Sequence, residues 1–290
     1  MREKQAVTRD AEVFGGGVAV ITGAGSGIGA GLARRAGALG MTVIAADIDE
    51  AGAGQTVAEI VARGGRGEAV RVDVARAEEL DALAEHVFAR HGAVRLLVNN
   101  AGIETVGYSW EIPADRWDRT LAINVHGVIH GVRAFVPRML ETGQECWIGN
   151  VTSVAAFGHM PAQTAYMVSK HAVQSFSECL YLEMELKQAP IHVSSIVPGT
   201  VRTAIFDARN NAGEPASAQG HRGAMAAILD EHGMAADDAA ALFLAQMAEG
   251  RFWVHSHPEM AEAMAAARGA FLAGQLAPVM PEIARHIAVE

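Results

Sequence analysis

Cysteine is almost absent from this chain. Only Cys146 and Cys179 occur in 290 residues, and neither sits in a CxxC pair or a Cys/His spacing that would hold zinc. That excludes a disulfide-stapled fold and predicts a reducing, intracellular setting. Long apolar runs are missing too. None reaches the roughly 18 residues a membrane-spanning helix requires, and the polar start MREKQAVTRDAEVF has no apolar stretch of the secretory kind. The expectation is a soluble, cytoplasmic protein with a short N-terminal extension over residues 1–14. Basic charge is scarce, with 23 Lys and Arg against 33 Asp and Glu and a formal charge of −10. The basic residues are scattered, which argues against a nucleic-acid partner or an anionic membrane surface. No HExxH or other metal spacing occurs, so no metal is expected. No repeat, low-complexity tract or linker marks a domain boundary.

What the chain does have is apolar material: half of its residues are hydrophobic and 19% are charged, enough for one large α/β domain over residues 15–290. Short β-branched runs recur with helical patterns between them. They are VAVIT (18–22), TVIAAD (42–47), EAVRVDV (68–74), RLLVNN (95–100), CWIGNVTS (146–153), IHVSSIVPG (191–199) and RFWVHS (251–256). Continuous rather than alternating hydrophobicity marks strands covered on both faces. Seven such runs alternating with helices predict a doubly wound parallel Rossmann sheet with helices on both faces. The rhythm breaks between 204 and 236, where DARNNAGEPASAQGHRG carries no strand signal. A stretch of that length inside a compact domain suggests a functional lid, and GAMAAILDEHG within it can form a short amphipathic helix.

Directly after the first run stands TGAGSGIG (22–29), followed by the helical AGLARRAGALG. Glycines at 23, 27 and 29 let the backbone turn and approach a phosphate, while the helix start at Ser26, Gly27 and Ile28 aims unpaired N–H groups at the anion. Tight strand-to-helix turns also favour glycine, so the context carries the assignment. The second run ends at Asp47, where a carboxylate can accept hydrogen bonds from the adenosine ribose and repel a 2′-phosphate. No basic residue stands in the glycine loop or directly after Asp47 to attract that phosphate. NAD is therefore expected over NADP. Asp49 is the alternative ribose contact, though a helix N-cap suits it better.

In AYMVSK (165–170), Tyr166 and Lys170 are four residues apart in a helical stretch and so share a face. An ammonium beside a phenol favours the phenolate, which makes the tyrosine usable as a general acid and base. Ser153 ends a strand at the edge where open α/β sheets bind ligands, and its hydroxyl could hold the substrate oxygen.

With these motifs in this order, the chain resembles the short-chain dehydrogenase/reductase family, single-domain NAD-preferring branch, over residues 17 to about 204. The motifs are TGAGSGIG, Asp47, VDV with Asp73, NNAG (99–102), AINVHG with Asn124, Ser153, YMVSK and PGTVRT (198–203). The resemblance implies that Asp73 and Val74 border the adenine, and that Asn99, Asn100, Ala101 and Gly102 support the central strand and the cofactor. It implies that Pro198, Gly199, Val201 and Thr203 lie around the nicotinamide amide and pyrophosphate, and that Lys170 also holds the nicotinamide ribose. Asn124 would distort its helix to keep a water linked to Lys170; an ordinary helix-interior asparagine is the other possibility. Assembly as a homotetramer or dimer through the helices carrying Asn124 and Tyr166 is likewise implied.

The activity expected is NAD-dependent interconversion of a secondary alcohol and a ketone by hydride transfer. Val106, Tyr108, Phe157, Met160, Ile205, Phe206 and Met225 predict an apolar pocket suited to an aromatic, alicyclic or steroid-like substrate. Arg202, Arg209 and Arg222 could pair with an anionic substrate group, but a solvated loop face is preferred for them. His159 is expected to orient or to be structural, since Tyr166 fills the acid/base role. The alternatives are a 3-oxoacyl-type biosynthetic reductase and a non-catalytic NAD-sensing protein.

Overall fold

The computed structural model describes residues 8–207, 213–282 and 284. Its centre is a seven-stranded, all-parallel sheet: β1 (Val18–Thr22), β2 (Thr42–Asp47), β3 (Arg66–Arg71), β4 (Leu96–Asn99), β5 (Cys146–Val151), β6 (Ile191–Val197) and β7 (Trp253–His255). The order across the sheet is β3-β2-β1-β4-β5-β6-β7. Chain direction across the sheet reverses between β1 and β4, so their carboxyl ends leave a crevice between diverging loops. Every residue of β4 and β5 is buried, as their unbroken apolar runs demand.

Two apolar layers sandwich the sheet. On one face pack α1 (Arg9–Phe14), α2 (Gly27–Ala38), α3 (Glu50–Ala62) and α9 (Ala236–Ala248), through Phe14, Leu32, Ile60 and Phe243. On the other pack α4 (Ala77–His91), α6 (Gly127–Thr142) and α7 (Thr164–Lys187), through Leu80, Phe135 and Leu180. A shorter helix, α5 (Ala114–Leu121), runs into a π-turn at Ala122–His126 before α6.

One expectation needs correction, and two stretches gain definition. The third strand occupies Arg66–Arg71 rather than 68–74. Val72 and Val74 are buried as loop residues above the sheet, and their apolar character extends the strand signal past its end. The N-terminal extension is docked where it is described: Phe14 is fully buried, edge-on to Trp147 with ring centroids 5.3 Å apart, and Asp10 pairs with Arg35. Among its described residues, the stretch from 204 to 236 holds a short turn at Ala204–Phe206 and α8 (Ala218–His232), which contains the expected patch up to His232 and begins five residues before it. Its end is tied to the sheet side by a bridge between Val201 and Met234. After β7 comes α10 (Pro258–Ala273), whose proline stands in the first turn where its missing N–H costs nothing. Among the described residues no helix is long and apolar enough to cross a membrane.

Candidate functional site

The crevice between β1 and β4 opens into a cavity of about 1300 Å³. That exceeds the ~300 to 1,000 Å³ of a common small-molecule site, so it has room for more than one ligand. At one end lies the glycine loop. Gly23 and Gly27 hold φ of 67° and 52°, a region that costs a side-chain-bearing residue energy. A Cβ on Gly29 would fall 2.0 Å from the Gly23 carbonyl oxygen, so α2 can start this close to β1 only with glycine there. Ser26 is the N-cap of α2 but makes no side-chain cap bond. The first-turn N–H groups of a helix lack intrahelical partners, and Ser26, Gly27 and Ile28 line the cavity. This is a cradle for a phosphate, and the donor set fits a dinucleotide pyrophosphate.

Asp47 stands at the end of β2, beside that loop. Its Oδ2 accepts the Gly25 N–H at 2.7 Å and its Oδ1 the Asp49 N–H at 2.9 Å. Asp49 caps α3, accepting the Gly52 N–H at 3.2 Å, which is the structural role preferred for it. Asp73 and Val74 line the same end, as do Asn100, Ala101 and Gly102 after β4. Asn100 Nδ2 donates to the Thr22 carbonyl at 2.9 Å and fastens β4 to the glycine loop. Asn99 lies deeper, donating to Asn150 Oδ1 at 2.9 Å within the sheet. Pro198, Gly199, Val201 and Thr203 line the cavity too, with Thr203 beside the glycine loop: a Cβ on Gly27 would meet its methyl at 3.1 Å.

Midway along the cavity Ser153, Tyr166 and Lys170 converge. Ser153 has extended backbone and caps a short turn at Val154–Ala156, accepting the Ala155 N–H at 3.1 Å. Tyr166 and Lys170 share a face of α7, with the ammonium 5.5 Å from the phenol ring centroid. Lys170 is 4% exposed and donates to the Val151 carbonyl at 2.8 Å. Burial pushes its amine down to about 8, against the opposing charge of Glu104. The phenol moves the other way from the expectation: burial, and then Glu104, raise it, and only the Ser153 hydroxyl beside it acts to lower it. Helical spacing brings the ammonium near the ring, but the low-dielectric seat decides the direction.

Asn124 is buried inside the π-turn rather than lining the cavity. Its Nδ2 donates to the Ile103 carbonyl at 2.9 Å and to Ser169 Oγ at 3.0 Å, while its Oδ1 accepts the Ile103 N–H at 2.8 Å. A Cβ on Gly102 would stand 3.4 Å from Asn124 Oδ1 and 3.7 Å from Lys170 Nζ, so Gly102 lies close to both side chains.

The far end of the cavity is apolar. Phe157, Met160, Ile205, Phe206 and Met225 are in its wall. Val106 is not: it is fully buried in a small cluster with Ala162 and Leu229, so its apolarity serves packing. Tyr108 is outside the wall as well and stacks on Trp110, with centroids 4.9 Å apart. Two further contributors complete the wall. One is α10 and the tail behind it, a segment whose sequence leaves open whether it covers its own or a neighbouring subunit's pocket, and which supplies Met260, Met264, Phe271 and Leu276 to this chain's own cavity. His159 pins them there, accepting from Arg268 at 2.6 Å and meeting the Phe271 ring edge-on. The other is Glu104, a buried carboxyl in the wall, whose only signal was a lone acid in the apolar loop after NNAG.

The arginines divide. Arg202 is exposed, as expected, and Arg209 lies outside the described residues. Arg222 is no solvated side chain: it is buried and pairs with Glu214 through Nε at 2.8 Å and through Nη2. The lid segment carries both partners, which neutralise each other in its interior. Among the described residues no group of three or more potential metal ligands occurs.

Comparison with known proteins places this arrangement. Residues 17–214 match the family model described as short chain dehydrogenase. The chain is 42% identical over 199 residues to "Probable oxidoreductase EphD" of Mycobacterium tuberculosis, covering 69% of this chain but only 33% of that relative, about a third of its length. It is 37% identical over 191 residues to "3beta-hydroxysteroid dehydrogenase 1" of Eggerthella lenta, covering 66% of this chain and 72% of that one. The crystal structure of a short chain dehydrogenase/reductase from Burkholderia phymatum in complex with NAD superposes with a TM-score of 0.88 at 35% identity, over 93% of this chain and 98% of that chain. The crystal structure of a metagenomic short-chain oxidoreductase in complex with NADP matches with a TM-score of 0.61 at 34% identity, over 65% of this chain and 84% of that chain. The chain belongs to the short-chain dehydrogenase/reductase family of oxidoreductases.

Proposed function

We propose that this chain is an NAD-dependent dehydrogenase interconverting a secondary alcohol and a ketone on a hydrophobic molecule of alicyclic, aromatic or steroid-like shape. The observation that carries this reading is one cavity lined by a phosphate cradle, the Ser153, Tyr166 and Lys170 cluster, and a set of large apolar side chains. The E. lenta relative bears a steroid dehydrogenase name, which suits a cavity walled by Met264 and Phe271. NAD, when bound, supplies hydride exchange with the carbinol carbon.

The glycine loop and the start of α2 would bind the pyrophosphate, and Asp47 would receive the adenosine ribose. Asp73, Val74 and residues 100–102 would border the adenine half, with Pro198, Gly199, Val201 and Thr203 around the nicotinamide. Ser153 would hold the substrate oxygen while Tyr166 takes its proton in oxidation and returns it in reduction. The Ser153 hydroxyl beside the phenol favours the phenolate and offsets part of the cost of burying it, while Lys170 would hold the nicotinamide ribose. Asn124, close to Gly102 as Lys170 is, would keep a water in reach of Lys170. Phe157, Met160, Ile205, Phe206 and Met225, with the α10 wall, would exclude water from the reacting carbon. Self-association through α6 and α7 belongs to the same reading, since α7 leaves Leu182 and Leu186 exposed; a sizing measurement tests it.

The test is a screen of cyclic, aromatic and steroid alcohols with NAD, followed by Tyr166→Phe on the best of them. Turnover should fall by about 10² to 10⁴-fold, the usual contribution of a positioned acid/base, while NADH binding survives. Undiminished turnover in the phenylalanine variant would sink the mechanism.

A further inference from the structure

Glu104 is a carboxyl that the chemistry above leaves unused. It is 1% exposed, yet it shares the cavity wall with Ser153, Tyr166 and Lys170. The backbone around it is tied down residue by residue. Ile103 is bonded in both directions by Asn124, and the Glu104 carbonyl accepts from Arg116 of α5 at 3.4 Å. Thr105 Oγ1 is 2.7 Å from Thr120 Oγ1, and the Val106 N–H donates to Glu214 at 2.8 Å. Four consecutive residues anchored to different elements leave the Glu104 side chain little freedom to turn away.

The charges around it are Lys170 on α7, Arg222 on α8, Glu214 just before α8, and Arg116 on α5, with the Tyr166 phenol facing it from α7. Glu214 is already engaged by Arg222 and lies 3.7 Å from Arg116. Lys170 is not engaged in that way. Its ammonium donates to one carbonyl, and among the described residues it has no ion-pair contact. Glu104 is the buried carboxyl that lines the same cavity, and a negative charge there favours keeping the Lys170 proton.

We propose that Glu104 is a positioning residue of the proton-transfer site: its carboxylate is the counter-charge of the buried Lys170 ammonium and sets the pH at which Lys170 and Tyr166 change protonation. The use made of that protonation rests on the reading under Proposed function. A negative Glu104 favours the protonated forms of both groups, opposing the burial of Lys170 and adding to that of Tyr166. Burial pushes the Glu104 carboxyl itself well above the ordinary range, with the Thr105 N–H, Arg222 and Lys170 pulling the other way and Glu214 adding to the rise. The three groups therefore titrate as a coupled set.

The chain has only three lysines, Lys4, Lys170 and Lys187. Protein labelled with carbon-13 at lysine Cε, without added cofactor, gives three titrating signals, and Lys170→Met assigns the one that disappears. In Glu104→Gln the Lys170 midpoint is expected about one pH unit below its native value, the size a neighbouring charge commonly produces. Glu104→Leu, neutral and similar in bulk, serves if the glutamine variant does not fold and should show the same fall. An unchanged or raised midpoint in either folded variant overturns the proposal. Because this readout needs no turnover, its failure leaves the Tyr166 mechanism standing. Activity retained in Tyr166→Phe would overturn that mechanism without touching the Lys170 midpoint. On an alcohol from the screen, Glu104→Gln should also carry the pH profile of NAD reduction towards lower pH; a profile that stays in place while only KM rises counts against the proposal.

Discussion

Asp47→Asn separates cofactor selection from cofactor binding. The Asp47 carboxylate closes β2 with one oxygen on the Gly25 N–H at 2.7 Å and the other on the Asp49 N–H at 2.9 Å, so its place beside the glycine loop is held from both sides. A 2′-phosphate carries a charge of about −1.5 to −2. Brought to about 5 Å from that carboxylate, at an effective dielectric of about 40 to 80 for a half-exposed site, it is opposed by ~1 to 3 kcal/mol. The corresponding discrimination is about 5- to 150-fold in Kd. Asparagine removes the charge but keeps an acceptor for one of the two N–H groups. The lost backbone bond, worth about 0.5 to 1.5 kcal/mol, weakens both cofactors alike. Fluorescence titration of native and variant protein with NADH and NADPH, at one fixed ionic strength because screening enters directly, gives the two ratios. The NADPH-to-NADH Kd ratio should fall by about 5- to 150-fold in the variant, while NADH alone weakens by about tenfold or less. A native protein that binds NADPH more tightly, or a ratio unmoved by Asp47→Asn, refutes the electrostatic argument.

Two further changes test the frame around the site. Gly29→Ala puts a methyl 2.0 Å from the Gly23 carbonyl and 2.4 Å from Asn100 Nδ2. The pyrophosphate cradle must open, and NADH affinity should drop on the order of tenfold or more; a native Kd in the same titration would show that the loop yields without cost. Phe14→Ala empties a fully buried seat against Trp147 and should lower unfolding free energy in urea by about 3 to 5 kcal/mol. A loss under about 1 kcal/mol would show that α1 is an appendage rather than part of the core.

The sequence by itself determined the repeating pattern and the local geometry. Unbroken apolar runs such as VAVIT and RLLVNN announce strands covered on both faces, and they are β1 and β4 at the centre of the sheet. The glycine loop and the Tyr166 and Lys170 spacing are legible because each is set within one turn or one helix, where backbone geometry alone fixes relative position. What only the tertiary structure decided depends on residues far apart in the chain. Val106 looks like pocket lining until the lid packs Leu229 against it, and Arg222 looks like a surface charge until Glu214 meets it indoors. α10 becomes a wall only because the end of β7 returns it over the segment after Ser153, where His159 holds Arg268. The protonation of the site is the furthest from local reading. Helical spacing predicts a phenol eased towards ionisation by its lysine, whereas the folded chain buries both and sets Glu104 beside them. Burial and through-space charge are sums over everything that surrounds a group, and no spacing within six residues contains them.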